Sequence, residues 1–181
     1  MRILLIGPGS IGEFFGGKLA LAGNSILVYA RSHFSMFLKE HPLKLTDISN
    51  KEHLVPNFEI APPIPELIKL SPQEIPKICL ITIKSYDLES ICNEYNLVLS
   101  KIPIIGIIQN GIGNEEILEN NYPNSIIFRI ITSHGAMREN PTHVVHTGIG
   151  NTSICQINTS YDKLPIEKKQ IMTRLDSQDS Y

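Results

Sequence analysis

No apolar run in the sequence approaches the ~20 residues of a membrane-spanning helix. The first apolar stretch, Ile3-Leu4-Leu5-Ile6, meets glycine before it reaches the ~7–15 residues of a secretory signal core. Both absences predict a soluble, cytoplasmic protein with no membrane partner. Charge of one sign is never concentrated: 16 Lys+Arg against 18 Asp+Glu give a net charge of -2. There is no basic stripe to meet nucleic acid and no like-charge block. Three cysteines, Cys79, Cys92 and Cys155, are odd in number and far apart, and read as small buried thiols in a reducing compartment. His143 and His146 would face opposite sides of a strand, with no Cys, Asp or Glu partner at ligand spacing, so no metal is expected. Ser133 and His134 adjoin without a nucleophile elbow. Internal repeats and low-complexity segments are lacking too.

What the chain does have is apolar substance. With 181 residues, 42% of them hydrophobic, it can form one domain of ordinary size, or one plus a fragment of a second. Residues 2–6 form a short apolar run ending at glycine, the pattern of a buried parallel strand. Ile11, Phe14, Phe15, Leu19 and Ala22 then recur at helical spacing up to the stop signal Gly23-Asn24. A second strand over 25–30 completes a βαβ unit. A short helix is predicted over 34–39, short strands between 43 and 60, and a helical turn over 66–70 within a proline-rich loop.

Residues 78–83 read as a strongly apolar strand. Leu88, Ile91, Cys92, Tyr95 and Leu99 mark a helical face, and 103–108 and 125–132 are further strands. Asn114-Glu115-Glu116 reads as a helix cap followed by acids in the first turn. Segments 142–146 and 152–157 look like a closing antiparallel pair. Strands alternating with helices predict an α/β fold: a Rossmann-type open, mostly parallel sheet with helices on both faces and a small antiparallel extension near the C-terminal end. Ligands of such sheets lie outside the carboxyl ends of the strands. That rule singles out residues 7–12, 31, 84–85, 109–111 and 132–136.

Gly7, Gly9 and Gly12 fill the pattern G-x-G-x-x-G between a predicted strand and a predicted helix, the context in which it signals dinucleotide binding. Gly7 permits the tight turn, Gly9 lets the backbone approach a pyrophosphate, and Gly12 lets helix and strand pack closely. The end of the second strand reads Tyr29-Ala30-Arg31-Ser32, with no acid to bond a ribose 2′-hydroxyl. A guanidinium there suits the 2′-phosphate of NADP. Lys84 ends one later strand, where it could meet phosphate, ribose or a carboxylate or simply be solvated. Asn110 ends the next, where it could bond ribose or a substrate carbonyl or simply make a turn.

Taken in order, several segments resemble the ketopantoate reductase (2-dehydropantoate 2-reductase) family. They are Ile6-Gly7-Pro8-Gly9-Ser10-Ile11-Gly12, Tyr29-Ala30-Arg31, Ile83-Lys84-Ser85-Tyr86, Gln109 to Glu116, Thr132-Ser133-His134-Gly135-Ala136 and His146-Thr147-Gly148-Ile149-Gly150. The resemblance covers roughly residues 1–158 and implies NADPH-dependent reduction of a 2-keto acid, giving pantoate on the route to pantothenate and coenzyme A. It implies that Gly7, Pro8, Gly9, Ser10, Ile11 and Gly12 hold the pyrophosphate and Arg31 the 2′-phosphate. Lys84, Asn110 and Ala136 would line the cofactor, with Asn110 nearest the substrate.

The family's proton-donating lysine lies on a helical second domain, and the expectation is that this domain is absent from the chain. Residues 1–158 would then be the NADP-binding domain and 159–181 a helix over 165–174 with a polar tail. Lys163, Lys168 and Lys169 do not stand in the family's lysine context, so no catalytic residue is assigned. The expected behaviour is NADPH binding with little or no turnover, and a face open to homo-oligomer contact. Two other readings stay open: a non-catalytic NADP(H)-binding module or inactive remnant, and a reductase of another 2-keto acid.

Overall fold

The computed structural model describes residues 1–30, 32–109 and 113–157. Its larger sheet is built from β1 (Arg2–Ile6), β2 (Ser25–Tyr29), β5 (Phe58–Ile60), β6 (Ile78–Ile81), β7 (Ile104–Ile108), β8 (Ile126–Thr132) and β11 (Thr152–Gln156). The order across it is β11-β8-β7-β6-β1-β2-β5. Every neighbouring pair is parallel except β11 on β8. A smaller, mixed sheet in the order β4-β3-β10-β9 is made by β3 (Lys44–Thr46), β4 (Glu52–Leu54), β9 (Gly135–Asn140) and β10 (His143–Gly148).

The central strands are apolar throughout because both faces of the sheet are covered. Ile3 and Leu5 of β1 point to one side, with Ile26, Val28, Ile78, Leu80 and Ile104, and Leu4 and Ile6 point to the other. The first side meets α1 (Ser10–Leu21), α2 (Ser32–Glu40) and the smaller sheet, through Phe14, Ala20, Leu38, Leu45 and Val144. The second meets α3 (Ile64–Leu67), α4 (Leu88–Glu94), α5 (Asn96–Leu99) and α6 (Asn114–Asn121), through Leu67, Ile91, Cys92, Leu99 and Leu118. Each fully buried Ile or Leu contributes roughly 1.5–3 kcal/mol. Helix α1 therefore lies between two sheets, which is what places its N-terminus beside the smaller one.

The Rossmann-type α/β architecture is as expected, and so is an antiparallel extension, but the extension is assembled from other strands. Segments 142–146 and 152–157 do not pair with one another. Instead β11 adds to the edge of the larger sheet, while β10 pairs with β9 and, in parallel, with β3. Strand β9 had no sequence signal, because Gly135-Ala136-Met137-Arg138-Glu139-Asn140 has no alternation of apolar and polar residues. The helical face over 88–99 is two helices, α4 and α5, meeting at Tyr95. Cys79 and Cys92 are buried as expected and Cys155 is exposed, since β11 is an edge strand. The expected helix over 165–174 lies outside the described residues. No helix among the described residues is long and apolar enough to cross a membrane.

Candidate functional site

Strands β1, β2 and β6 end on one edge of the larger sheet, and there the glycine turn leads into α1. Gly7 has φ +92, a conformation that a side chain strains. A Cβ on it would also come within 2.9 Å of the Ile83 backbone nitrogen. A Cβ on Gly12 would come within 2.6 Å of the Gly7 carbonyl, so helix and turn pack as closely as the motif predicts. Gly9 caps α1 in an extended conformation, and a Cβ there meets nothing within 4 Å. Ser10, Ile11 and Gly12 are the first residues of α1, whose N–H groups lie at the positive end of the helix dipole.

The carbonyls of this turn are all engaged. Gly7's accepts from the Gly9 N–H at 2.7 Å and from the Thr82 hydroxyl. Pro8's accepts from Arg138 Nη2. Gly9's accepts from the Glu13 N–H at 2.8 Å. The partial negative charges are thus neutralised while the first N–H groups of α1 remain as donors. An oxyanion such as a pyrophosphate suits that arrangement.

A cavity of about 470 Å³ adjoins the turn, lined among others by Gly7, Pro8, Gly9, Ala30, Lys84 and Arg138. Lys84 sits at the start of a 3₁₀ turn after β6, exposed and on the cavity wall. Gln109, at the end of β7, donates from Nε2 to the Ile83 carbonyl at 2.6 Å, and its buried Oε1 has no hydrogen-bond partner among the described residues. Ala136 lies on β9 opposite His146, packed against the core and outside this cavity wall. Arg31 and Asn110 lie outside the described residues.

Two residues at the site escaped the sequence reading. Glu13, fully buried on α1, receives Arg138 Nε at 3.0 Å and also Nη2, and the guanidinium stacks 5.0 Å from the Phe34 ring centroid. Burial pushes the Glu13 carboxyl up to about 7, against the downward pull of Arg138. The apolar stripe of α1 gave no signal for Glu13, because it lies on the opposite, small-residue side of the helix with Gly16, Gly17 and Ala20. Its partner lies 125 positions away on the strand without periodicity.

A second, larger cavity of about 740 Å³ lies along the α1-facing side of the larger sheet, with Ile104, Ile108, Phe128 and Ile154 in its wall. Among the described residues no helix N-terminus borders it, so the glycine-turn cavity is the candidate dinucleotide site. His134 and His146 border the larger one, Nδ1 to Nε2 at 3.1 Å. The Gly150 N–H donates to His134 Nδ1 at 3.2 Å. Burial lowers the pKa of His146. His143 is separate from both, bonded to Thr46 and Glu139. No group of three possible metal ligands occurs among the described residues.

Known proteins place this geometry. The family model described as "Ketopantoate reductase PanE/ApbA" matches residues 3–159. A 2-dehydropantoate 2-reductase of Pyrococcus abyssi is 34% identical over 156 residues, covering 85% of this chain and 47% of the relative. One from Archaeoglobus fulgidus is 28% identical over 157 residues, covering 87% and 48%. The chain thus spans about half the length of these curated relatives. Among solved structures, 2-dehydropantoate 2-reductase from Methylococcus capsulatus aligns with TM-score 0.78 at 19% identity, over 98% of this chain and 55% of the other. D-mandelate dehydrogenase in ternary complex with NADH and anilino(oxo)acetate aligns with TM-score 0.77 at 23% identity, over 99% and 55%. At these identities the structures attest the fold, and the family match attests the lineage: the chain belongs to the ketopantoate reductase PanE/ApbA family.

Proposed function

We propose that this chain supplies the NADP(H)-binding region of a cytoplasmic 2-dehydropantoate 2-reductase, which reduces ketopantoate to pantoate on the route to pantothenate and coenzyme A. The observation that carries the proposal is the glycine turn, with its carbonyls bonded and the first N–H groups of α1 left as donors beside a cavity. Family membership and the names of the relatives support the substrate class.

In this reading residues 1–158 are the binding unit and 159–181 follow it. Gly7, Pro8, Gly9, Ser10, Ile11 and Gly12 hold the pyrophosphate, and Arg31 holds the 2′-phosphate. Lys84 and Asn110 line the cofactor, with Asn110 also bonding the substrate carbonyl, while Ala136, on β9 outside the wall of the glycine-turn cavity, would meet only a part of the cofactor that extends past that cavity. When bound, NADPH supplies the hydride. Reduction of a ketone builds negative charge on its oxygen, which calls for a proton donor, and no residue described here is given that role.

Titration of NADPH fluorescence with the 181-residue polypeptide tests the reading, with NADH as the comparison. Native protein is expected to favour NADPH, and Arg31→Asp to weaken NADPH at least about tenfold while leaving NADH nearly unchanged. Absence of NADPH binding would overturn the proposal. Equal weakening of both cofactors would remove Arg31 from the 2′-phosphate site. Ketopantoate-dependent oxidation of NADPH, compared with other 2-keto acids, reports the substrate.

A further inference from the structure

The pair between Arg138 and Glu13 is not explained by stability alone. A buried ion pair gains little over well-packed apolar residues, because both charges must leave water. Here one partner is fully buried on α1 and the other reaches across from β9 of the smaller sheet. Such an arrangement fixes geometry more than it adds stability.

What it fixes is the glycine turn. Arg138 gives Nε and one Nη2 hydrogen to Glu13, and its other Nη2 hydrogen to the Pro8 carbonyl. Phe34 flanks the guanidinium plane. Without that donor the Pro8 carbonyl would present its negative end beside the phosphate site, and proline has no N–H to offset it. The two N–H groups of Nη1 have no hydrogen-bond partner among the described residues, and Arg138 is part of the cavity wall. Lys84 adds a second positive charge to that wall and Asp87 a negative one. Lysine could not replace Arg138, because a single ammonium lacks the planar fork that spans Glu13 and Pro8 together.

We propose that Arg138, anchored by Glu13, is a positioning residue for the dinucleotide: it holds the Pro8 carbonyl so that the glycine turn accepts phosphate. The inference rests on the reading of this cavity as an NADP(H) site and makes the smaller sheet part of it.

The test is binding of NADPH and of 2′,5′-ADP, with adenosine as a phosphate-free competitor, to native protein, R138M, R138K and E13Q, each with a thermal melt. R138M is expected to weaken NADPH and 2′,5′-ADP about tenfold or more and to leave adenosine nearly unchanged. R138K should recover only part of the loss. Glutamine keeps the shape of Glu13 but loses the charge that orients Arg138, so E13Q should weaken the phosphate ligands by about threefold. If R138M does not fold, E13Q carries the same test. Unchanged NADPH affinity in the folded variants would overturn the proposal. An equal loss for adenosine and the phosphate ligands would also overturn it, because the pair would then only support the fold. Failure of native protein to bind NADPH is a separate result that removes the functional reading, and this inference with it.

Discussion

Gly7 and Gly9 stand two positions apart, yet a methyl group added to each meets different surroundings. At Gly7 it meets the Ile83 backbone, on a residue already at φ +92. At Gly9 it meets open space beside the cavity, on a backbone that any residue adopts. Folding and binding should therefore separate. Gly7→Ala is expected to cost about 2–4 kcal/mol of stability, from left-handed strain plus overpacking. Gly9→Ala should change stability by less than about 0.5 kcal/mol. It should still weaken NADPH about tenfold or more, since its methyl occupies the approach of the pyrophosphate. Urea denaturation and NADPH titration on the two variants check this. Equal stability losses would refute the steric account of the turn.

Elements with strong internal periodicity were legible in the sequence, and elements defined by distant partners were not. Strand β1 and helix α1 announced themselves because both sheet faces, or one helix face, must be apolar. Strand β9 is specified by its neighbour β10, and residues Ala136, Met137 and Arg138 find their register only against β10. The glycine turn was equally plain, whereas Glu13 and Arg138 meet only once the smaller sheet folds over α1. Helix α6 shows the same limit. Asn114 read as its cap, but the capping position is Gly113, at φ +96, and Glu115 fills the gap. Its Oε2 accepts the Gly113 N–H at 3.1 Å, and Oε1 accepts Arg129 Nη1 from β8 at 2.6 Å. Helix start and sheet are thus joined by one carboxylate. Glu115→Ala should cost about 1–3 kcal/mol, with Glu115→Gln recovering part of it. Chemical denaturation at low and high salt measures both. A loss under about 1 kcal/mol that vanishes in salt would leave only a helix-dipole effect.

At the scale of the whole molecule, Glu13 joins the two sheets through α1, and its ionisation sets how stability follows pH. Burial raises its folded pKa from 4.5 to about 7. Below the lower value the carboxyl is protonated in both states. Between the two, the unfolded chain has released its proton while the folded chain retains it, so stability falls as pH rises and levels off above about 7. The full loss is on the order of 3 kcal/mol. His146 acts in the opposite sense: its folded pKa is lowered by burial, so its contribution is lost as pH falls below the ordinary histidine range. The native profile mixes a rising and a falling limb, and a single curve cannot assign either. Differences can. The stability of native protein minus that of E13Q should decrease from about pH 5 to about pH 7 and then stay flat. Native minus H146Q should increase over the acid part of the same range. Urea denaturation across that range gives both differences. A native-minus-E13Q difference independent of pH would mean that Glu13 ionises as an ordinary carboxylate, with Arg138 fully offsetting its burial. The bridge between the sheets would then be an ion pair at every pH in that range, and dinucleotide binding would lose any dependence on Glu13 protonation.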